Sequence, residues 1–310
     1  MLPGSRDACA PAEAAGLLRR MTPSRTSPPT RFPDRSRLLA RRWWATWVGT
    51  WLLAACGGGG GSPANDSSAS APTPPTTLTA EVSVLMMGNS HTSSARLPEQ
   101  LAALLRGGLP GKTVAVAVAP GWMFLDERLA HGPSMALLRS QPWTAVVLQA
   151  QKYSTSGQYS YSTQEAELLV QAARGQRALP VLFPEWPRLG VPETAQIYDL
   201  HVGIAQVQPA CVAPIGQAWD LALQRHPTLR LHGDDGNHAD VPGTYLAALV
   251  LYSTITGGSP RALPDIDNGL APPLQAQLRA AAADTLQTLP ARRHCPADAA
   301  LVAAGPRPQE

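Results

Sequence analysis

Two short segments, far apart in the chain, hold the side-chain types of nucleophilic catalysis. Gly88-Asn89-Ser90-His91-Thr92 offers a hydroxyl just after an apolar run, and Asp235-Gly236-Asn237-His238 offers a carboxylate three residues before an imidazole. A serine hydroxyl is a poor nucleophile near neutral pH and needs a base to take its proton as it attacks. An Asp-x-x-His turn can supply that base. Its carboxylate holds Nδ1 and fixes the tautomer, which leaves Nε2 to face the hydroxyl. Ser90, Asp235 and His238 are therefore the candidate nucleophile, orienting acid and base. Each also has an ordinary reading. Ser90 could cap the helix that follows, Asp234 competes with Asp235, and a lone histidine near a helix start is commonly just solvated. His91 reads either as support for the nucleophile loop or as a substrate contact.

The elements that must position these groups alternate in type. Val82-Ser83-Val84-Leu85-Met86-Met87 is a β-type run that stops at Gly88. A serine just past a strand's carboxyl end lies where open α/β sheets place their ligands. Residues 95–106 then carry Leu97, Leu101, Leu104 and Leu105 at helical spacing. Further strands are expected at 114–119, 145–148 and 181–183, with a short apolar piece at 211–213. Helices are expected at 162–175, at 193–206 and, as the final one, at about 242–256. Ser162 and Glu165 make a capping-box signature for the first of these. Such βαβ alternation implies an α/β fold, a parallel sheet with helices on both faces.

Composition divides the chain. The whole carries +3, but nine arginines and three acids fall within 1–56; of 25 basic and 22 acidic residues that leaves 16 and 19, a net charge of −3 for 57–310. A basic surface for nucleic acid is thus confined to the leader, and nucleic acid is not an expected partner. Within that leader Arg41-Arg42 precede thirteen mostly apolar residues, 43–55, ending Leu53-Ala54-Ala55-Cys56. The run is shorter than the roughly 20 residues of a spanning helix and fits a signal-peptide core. Its ending resembles a bacterial lipobox, whose cysteine is acylated to become the mature N-terminus; an ordinary cleaved signal is the alternative. Met21 offers a second start. Residues 57–79, Gly-rich and then rich in Ser, Pro, Ala and Thr, read as a flexible tether. The folded unit is drawn at 80–290 and a loose tail at 291–310.

Taken together, these blocks resemble the SGNH (GDSL-type) hydrolases, and more narrowly a branch whose first block reads Gly-Asn-Ser-His-Thr. The resemblance spans about 82–259. It implies a three-layer, flavodoxin-like sheet and a serine esterase that works through an acyl-enzyme without a cofactor. By that resemblance Ser90 is the nucleophile, and the Gly121 N–H in Ala119-Pro120-Gly121-Trp122 is an oxyanion donor. Asp235 and His238 are the Asp-x-x-His of the last block, continued by Asp240-Val241-Pro242-Gly243-Thr244. Ile215-Gly216-Gln217-Ala218-Trp219 fits a segment such proteins carry just upstream. Where the family has Gly-x-Asn, this chain has Gln149-Ala150-Gln151, so Gln151 takes the place of the asparagine whose amide donates to the oxyanion.

The expected substrate is an ester, in the narrower reading an acyl ester on a glycan, and the expected location is the bacterial cell envelope, tethered through Cys56 and on the outer membrane. Trp122, Trp143, Trp186 and Tyr153 fall near strand ends, as sugar-stacking faces or as ordinary packing. The alternative to an enzyme is a non-catalytic lipoprotein that keeps the fold as a binding module. No phosphate loop, dinucleotide fingerprint or Gly-x-Ser-x-Gly elbow occurs, and His232, Asp234, Asp235 and His238 lack a second ligand cluster. Cys211 and Cys295 could pair in an oxidising compartment, although nothing in the sequence brings them together.

Overall fold

Val82, Val84 and Met86 are buried on one side of the first strand, and Leu85 and Met87 on the other. A strand buried on both faces belongs at the centre of a parallel sheet. That is where it lies in the computed structural model, which describes residues 80–298. The expected leader, the acylated Cys56 and the 57–79 tether lie outside the described residues.

Five parallel strands, β1 (Val82–Met87), β2 (Val114–Val118), β3 (Ala145–Gln149), β4 (Leu179–Phe183) and β5 (Cys211–Val212), stand in the order β2-β1-β3-β4-β5. This is the flavodoxin-like order, whose direction reverses between β1 and β3 and opens a crevice at their carboxyl ends. One face is covered by α1 (Leu97–Gly108), α6 (Ile215–Arg225), α7 (Val241–Thr256) and α8 (Pro272–Thr288). The other is covered by α2 (Leu125–Ala130), α3 (Gly132–Arg139), α4 (Gln164–Gly175) and α5 (Thr194–Val207). The expected three-layer α/β architecture is the one observed.

Local chemistry explains the main elements. In α1, Leu97, Leu101, Leu104 and Leu105 are fully buried, each contributing about 1.5–3 kcal/mol of burial. α7 is apolar all round and buried from Gly243 to Thr256. Such a helix is stable only when other elements enclose it, and α1, α6 and α8 pack on it.

Several expectations shift. The helix placed at 162–175 begins at Gln164; the Ser162 hydroxyl donates to Glu165 and accepts from the Gln164 N–H, a turn ahead of the helix. The helix expected last is followed by α8, an alanine-rich segment of weak apolar periodicity. α2, α3 and α6 were likewise not among the expected helices. Order continues past residue 290: Val212 donates to the Ala291 carbonyl, and a disulfide joins Cys295 to Cys211 of β5.

Candidate active site

β1 ends at Met87, and the chain turns at once into a single 3₁₀ turn, Ser90–Thr92. Asn89 caps that turn, its Oδ1 accepting the His91 N–H at 3.0 Å. Ser90 does not cap the helix that follows, which starts at Leu97 behind Arg96 with no side-chain cap, so the serine hydroxyl is free of that role. The Asn89 N–H in turn donates to Oε1 of Gln149, a fully buried residue at the end of β3. The nucleophile turn is thereby moored to the adjacent strand at the switch point of the sheet.

The Ser90 hydroxyl lies 2.7 Å from His238 Nε2, and His238 Nδ1 lies 2.5 Å from Asp235 Oδ2. The second carboxylate oxygen, Oδ1, accepts the backbone N–H groups of Asn237 and His238, each at 2.9 Å. This is an Asx-type turn, in which a short acidic side chain organises its own loop. The imidazole, and then these two N–H groups, hold the Asp235 carboxyl well below its usual range. That favours its anionic form, which can stabilise an imidazolium at His238. Asp234, its rival in sequence, points into solvent and pairs with Arg230. The loop is pinned at several points: Gly233 N–H to the His238 carbonyl, Leu189 N–H to the Gly236 carbonyl, and the Trp186 indole N–H to the Asn237 carbonyl.

Gly121 follows β2 in the left-handed region, φ +73°, a conformation that favours glycine. Among the described residues its N–H has no hydrogen-bond acceptor. Gln151 follows β3 and lines the cleft at Ser90, as expected from its position. Its amide is occupied, however, donating to the Lys152 carbonyl at 3.1 Å and the Ser162 carbonyl at 2.9 Å. A primary amide has two hydrogens, so here Gln151 closes the 152–162 loop and has none left for an oxyanion. The extra methylene relative to asparagine carries the amide to these carbonyls.

The cleft at Ser90 measures about 420 Å³ and is bordered by Phe124, Lys152, Tyr153, Tyr161, Glu185 and Arg188, among others. Below it runs a polar chain that the sequence pattern had not singled out. The Gln149 amide donates to Glu185 Oε2 at 2.7 Å, and His91 Nδ1 lies 3.2 Å from the same oxygen, off the line of a good hydrogen bond. Asn237 Nδ2 donates to His91 Nε2 at 3.2 Å. His91 is buried and braces the loop that carries the base. Of the four aromatic candidates, Trp143 and Trp186 are core residues, Tyr153 borders the cleft and Trp122 is 71% exposed. Among the described residues no three His, Cys, Asp or Glu side chains gather as a metal site. Gln149, Glu185 and Asn237 were missed because single polar residues next to a motif carry no spacing signal of their own.

No protein-family model matches the chain, and no curated protein sequence matches it significantly. Solved structures do resemble it. A DUF4886 family protein from Bacteroides uniformis superposes with a TM-score of 0.53 at 16% identity, over 66% of this chain and 95% of that one. A candidate SGNH hydrolase from Slackia heliotrinireducens gives 0.45 at 25% identity, over 56% and 97%. The lipase/acylhydrolase from Enterococcus faecalis gives 0.43 at 14%, over 56% and 95%. The likeness to the Bacteroides protein is one of fold: a parallel α/β sheet between helical layers.

Proposed function

We propose that the chain is a serine hydrolase of the SGNH type that cleaves carboxylic esters. The observation that carries this reading is the unbroken relay from the Ser90 hydroxyl to His238 Nε2 and from His238 Nδ1 to Asp235. Two hydrogen bonds in series, at the switch point of an α/β sheet, are the geometry that base-assisted attack requires. A binding module has no need of it.

Ser90 Oγ attacks the ester carbonyl as His238 takes its proton, and the carbonyl oxygen becomes an oxyanion. The Gly121 N–H and the Ser90 N–H are the proposed donors to that oxygen. His238 then passes its proton to the leaving alcohol, the C–O bond breaks and the acyl group remains on Ser90. Water, deprotonated by His238, attacks the acyl-enzyme, and the carboxylic acid leaves as Ser90 recovers its proton.

The proposed substrate class is an acylated glycan. Trp122, Phe124, Tyr159 and Tyr161 are all exposed on the loops that follow β2 and β3. Of these, Phe124 and Tyr161 border the cleft itself, with Tyr153, Lys152, Glu185 and Arg188, a lining that suits a ligand with both apolar faces and hydroxyls. Attachment to the cell envelope through an acylated Cys56 belongs to the same proposal.

The test is hydrolysis of p-nitrophenyl acetate by the full chain, wild type beside Ser90→Ala. The expected result is turnover in the wild type and none in the variant, with melting temperatures alike. Equal turnover in both would end the serine-hydrolase reading.

A further inference from the structure

Behind the nucleophile and the Gly121 loop sits a cation that no part of the relay uses. Arg128, in α2, is fully buried, and none of its hydrogen bonds goes to a carboxylate. Its guanidinium instead gathers backbone carbonyls. Nη1 donates to the Pro120 carbonyl at 2.6 Å and to the Ser134 hydroxyl at 2.8 Å. Nη2 donates to the carbonyls of Gly88 and Gly121. Burying a guanidinium with no carboxylate in hydrogen-bond contact is costly, so its retention calls for a physical reason.

The identity of the carbonyls supplies one. The Pro120 carbonyl and the Gly121 N–H belong to a single peptide group. That peptide is trans, as no cis bond occurs among the described residues, so its N–H points away from the oxygen that Arg128 holds. Fixing the carbonyl against a cation therefore fixes the direction of the N–H. It also polarises the group, since a peptide whose oxygen accepts a charged donor has a stronger N–H. The second nitrogen does separate work. Gly88 immediately precedes Asn89 and Ser90, and two carbonyls on one nitrogen lie within two hydrogen-bond lengths, about 6 Å, of each other. Arg128 thus couples the nucleophile turn after β1 to the Gly121 loop after β2. The Met123 N–H, donating to the Gly88 carbonyl at 3.3 Å, is a weaker strut between the same loops.

We propose that Arg128 is the positioning residue of the oxyanion site, orienting and polarising the Gly121 N–H and holding it in register with Ser90. This rests on the reading of Ser90 as an ester-cleaving nucleophile. Arg128 does not touch the substrate; it acts through the Pro120–Gly121 peptide.

The experiment compares p-nitrophenyl acetate with its thionoester, whose sulfur accepts hydrogen bonds poorly and so reports the oxyanion site. Wild type, Arg128→Met, Arg128→Lys and Ser90→Ala full-length chains are assayed on both. For Arg128→Met the expected result is a kcat on the oxygen ester lower by about 10- to 100-fold, below the cost of deleting a donor outright, with KM little changed. The preference for oxygen over sulfur should fall by a similar factor, and Arg128→Lys should lie between. If both esters slow equally, Arg128 only supports the fold and the proposal fails. If Arg128→Met does not fold, Arg128→Lys decides: a parental oxygen-to-sulfur preference overturns the proposal and a reduced one upholds it. Absence of Ser90-dependent turnover in the wild type removes the hydrolase reading and this proposal with it, whereas Ser90-dependent turnover with an unchanged preference removes this proposal alone.

Discussion

His91 lies flat against Trp186, ring centroids 5.0 Å apart and planes 22° from parallel, while it meets His238 almost at a right angle. The Trp186 indole N–H donates to the Asn237 carbonyl at 2.8 Å, and the Asn237 amide reaches back to His91. The residue after the nucleophile and the loop that carries the base therefore lean on one indole. Trp219 stacks on its other side, 4.9 Å away.

That arrangement makes His91 a brace. His91→Ala should lower kcat on p-nitrophenyl acetate by about tenfold, the scale of one lost neutral hydrogen bond with its packing, and leave KM near the parent's. His91→Phe, which keeps the stacking, should recover part of the loss. A defect as complete as that of Ser90→Ala would instead make His91 a reacting group.

Asp235→Asn keeps an oxygen for the N–H groups of Asn237 and His238 but removes the anion facing Nδ1. Steady-state kinetics should show kcat lower by about 10⁴-fold, with KM changed little. The stability effect has a definite sign. The carboxyl is held below its ordinary value of 3.8; a lowered carboxyl stabilises the fold above its unfolded pKa and loses that contribution as pH falls through the folded one. The melting-temperature gap between wild type and Asp235→Asn should therefore close as pH drops below 3.8. A gap that stays constant through the acid range contradicts a carboxylate stabilised by this turn.

Gln151 offers a sharp contrast. As an oxyanion donor, its loss would cost about 100- to 1,000-fold in rate. With both amide hydrogens on the Lys152 and Ser162 carbonyls, Gln151→Met should instead lower the melting temperature and raise protease sensitivity in the 152–162 loop. Its kcat should stay within about tenfold of the parent's. A large kcat loss at parental stability would return Gln151 to the oxyanion site.

Gly243, at the start of α7, is a point of close approach rather than a turn. A β-carbon there would collide with the Leu231 carbonyl and come within 2.6 Å of Trp219 Cζ2. The Leu231 carbonyl accepts the Asp240 N–H at 2.9 Å, at the base of the loop that holds Asp235 and His238. Gly243→Ala should cost at least about 1–3 kcal/mol in denaturant unfolding, the range of overpacked cores, and slow turnover through the displaced loop. Parental stability would show that the helix start can move freely.

Much of this protein was legible along the chain because its information is local. The largely apolar run of Val82–Met87, the leucine face of α1 and the Asp-x-x-His turn each arise from residues a few positions apart. Periodicity and short-range hydrogen bonding report such features directly. The flavodoxin-like sheet was expected only from the resemblance to the SGNH hydrolases, and the strand order itself came with the structure. α8 escaped because an alanine-rich helix has too little apolar contrast to show a face, and α2 and α3 because each spans only a couple of turns.

By itself, then, the sequence determined the α/β class and the chemistry available to it: a hydroxyl just past a strand end, and a carboxylate and an imidazole in a turn ahead of a helix. Only the tertiary structure decided which polar groups are free. The engagement of the Gln151 amide by two carbonyls and the grip of Arg128 on Pro120, Gly121 and Gly88 depend on where backbone oxygens come to lie. A backbone carbonyl is present at every residue, so no pattern of side chains reveals which ones will meet a donor until the chain is folded.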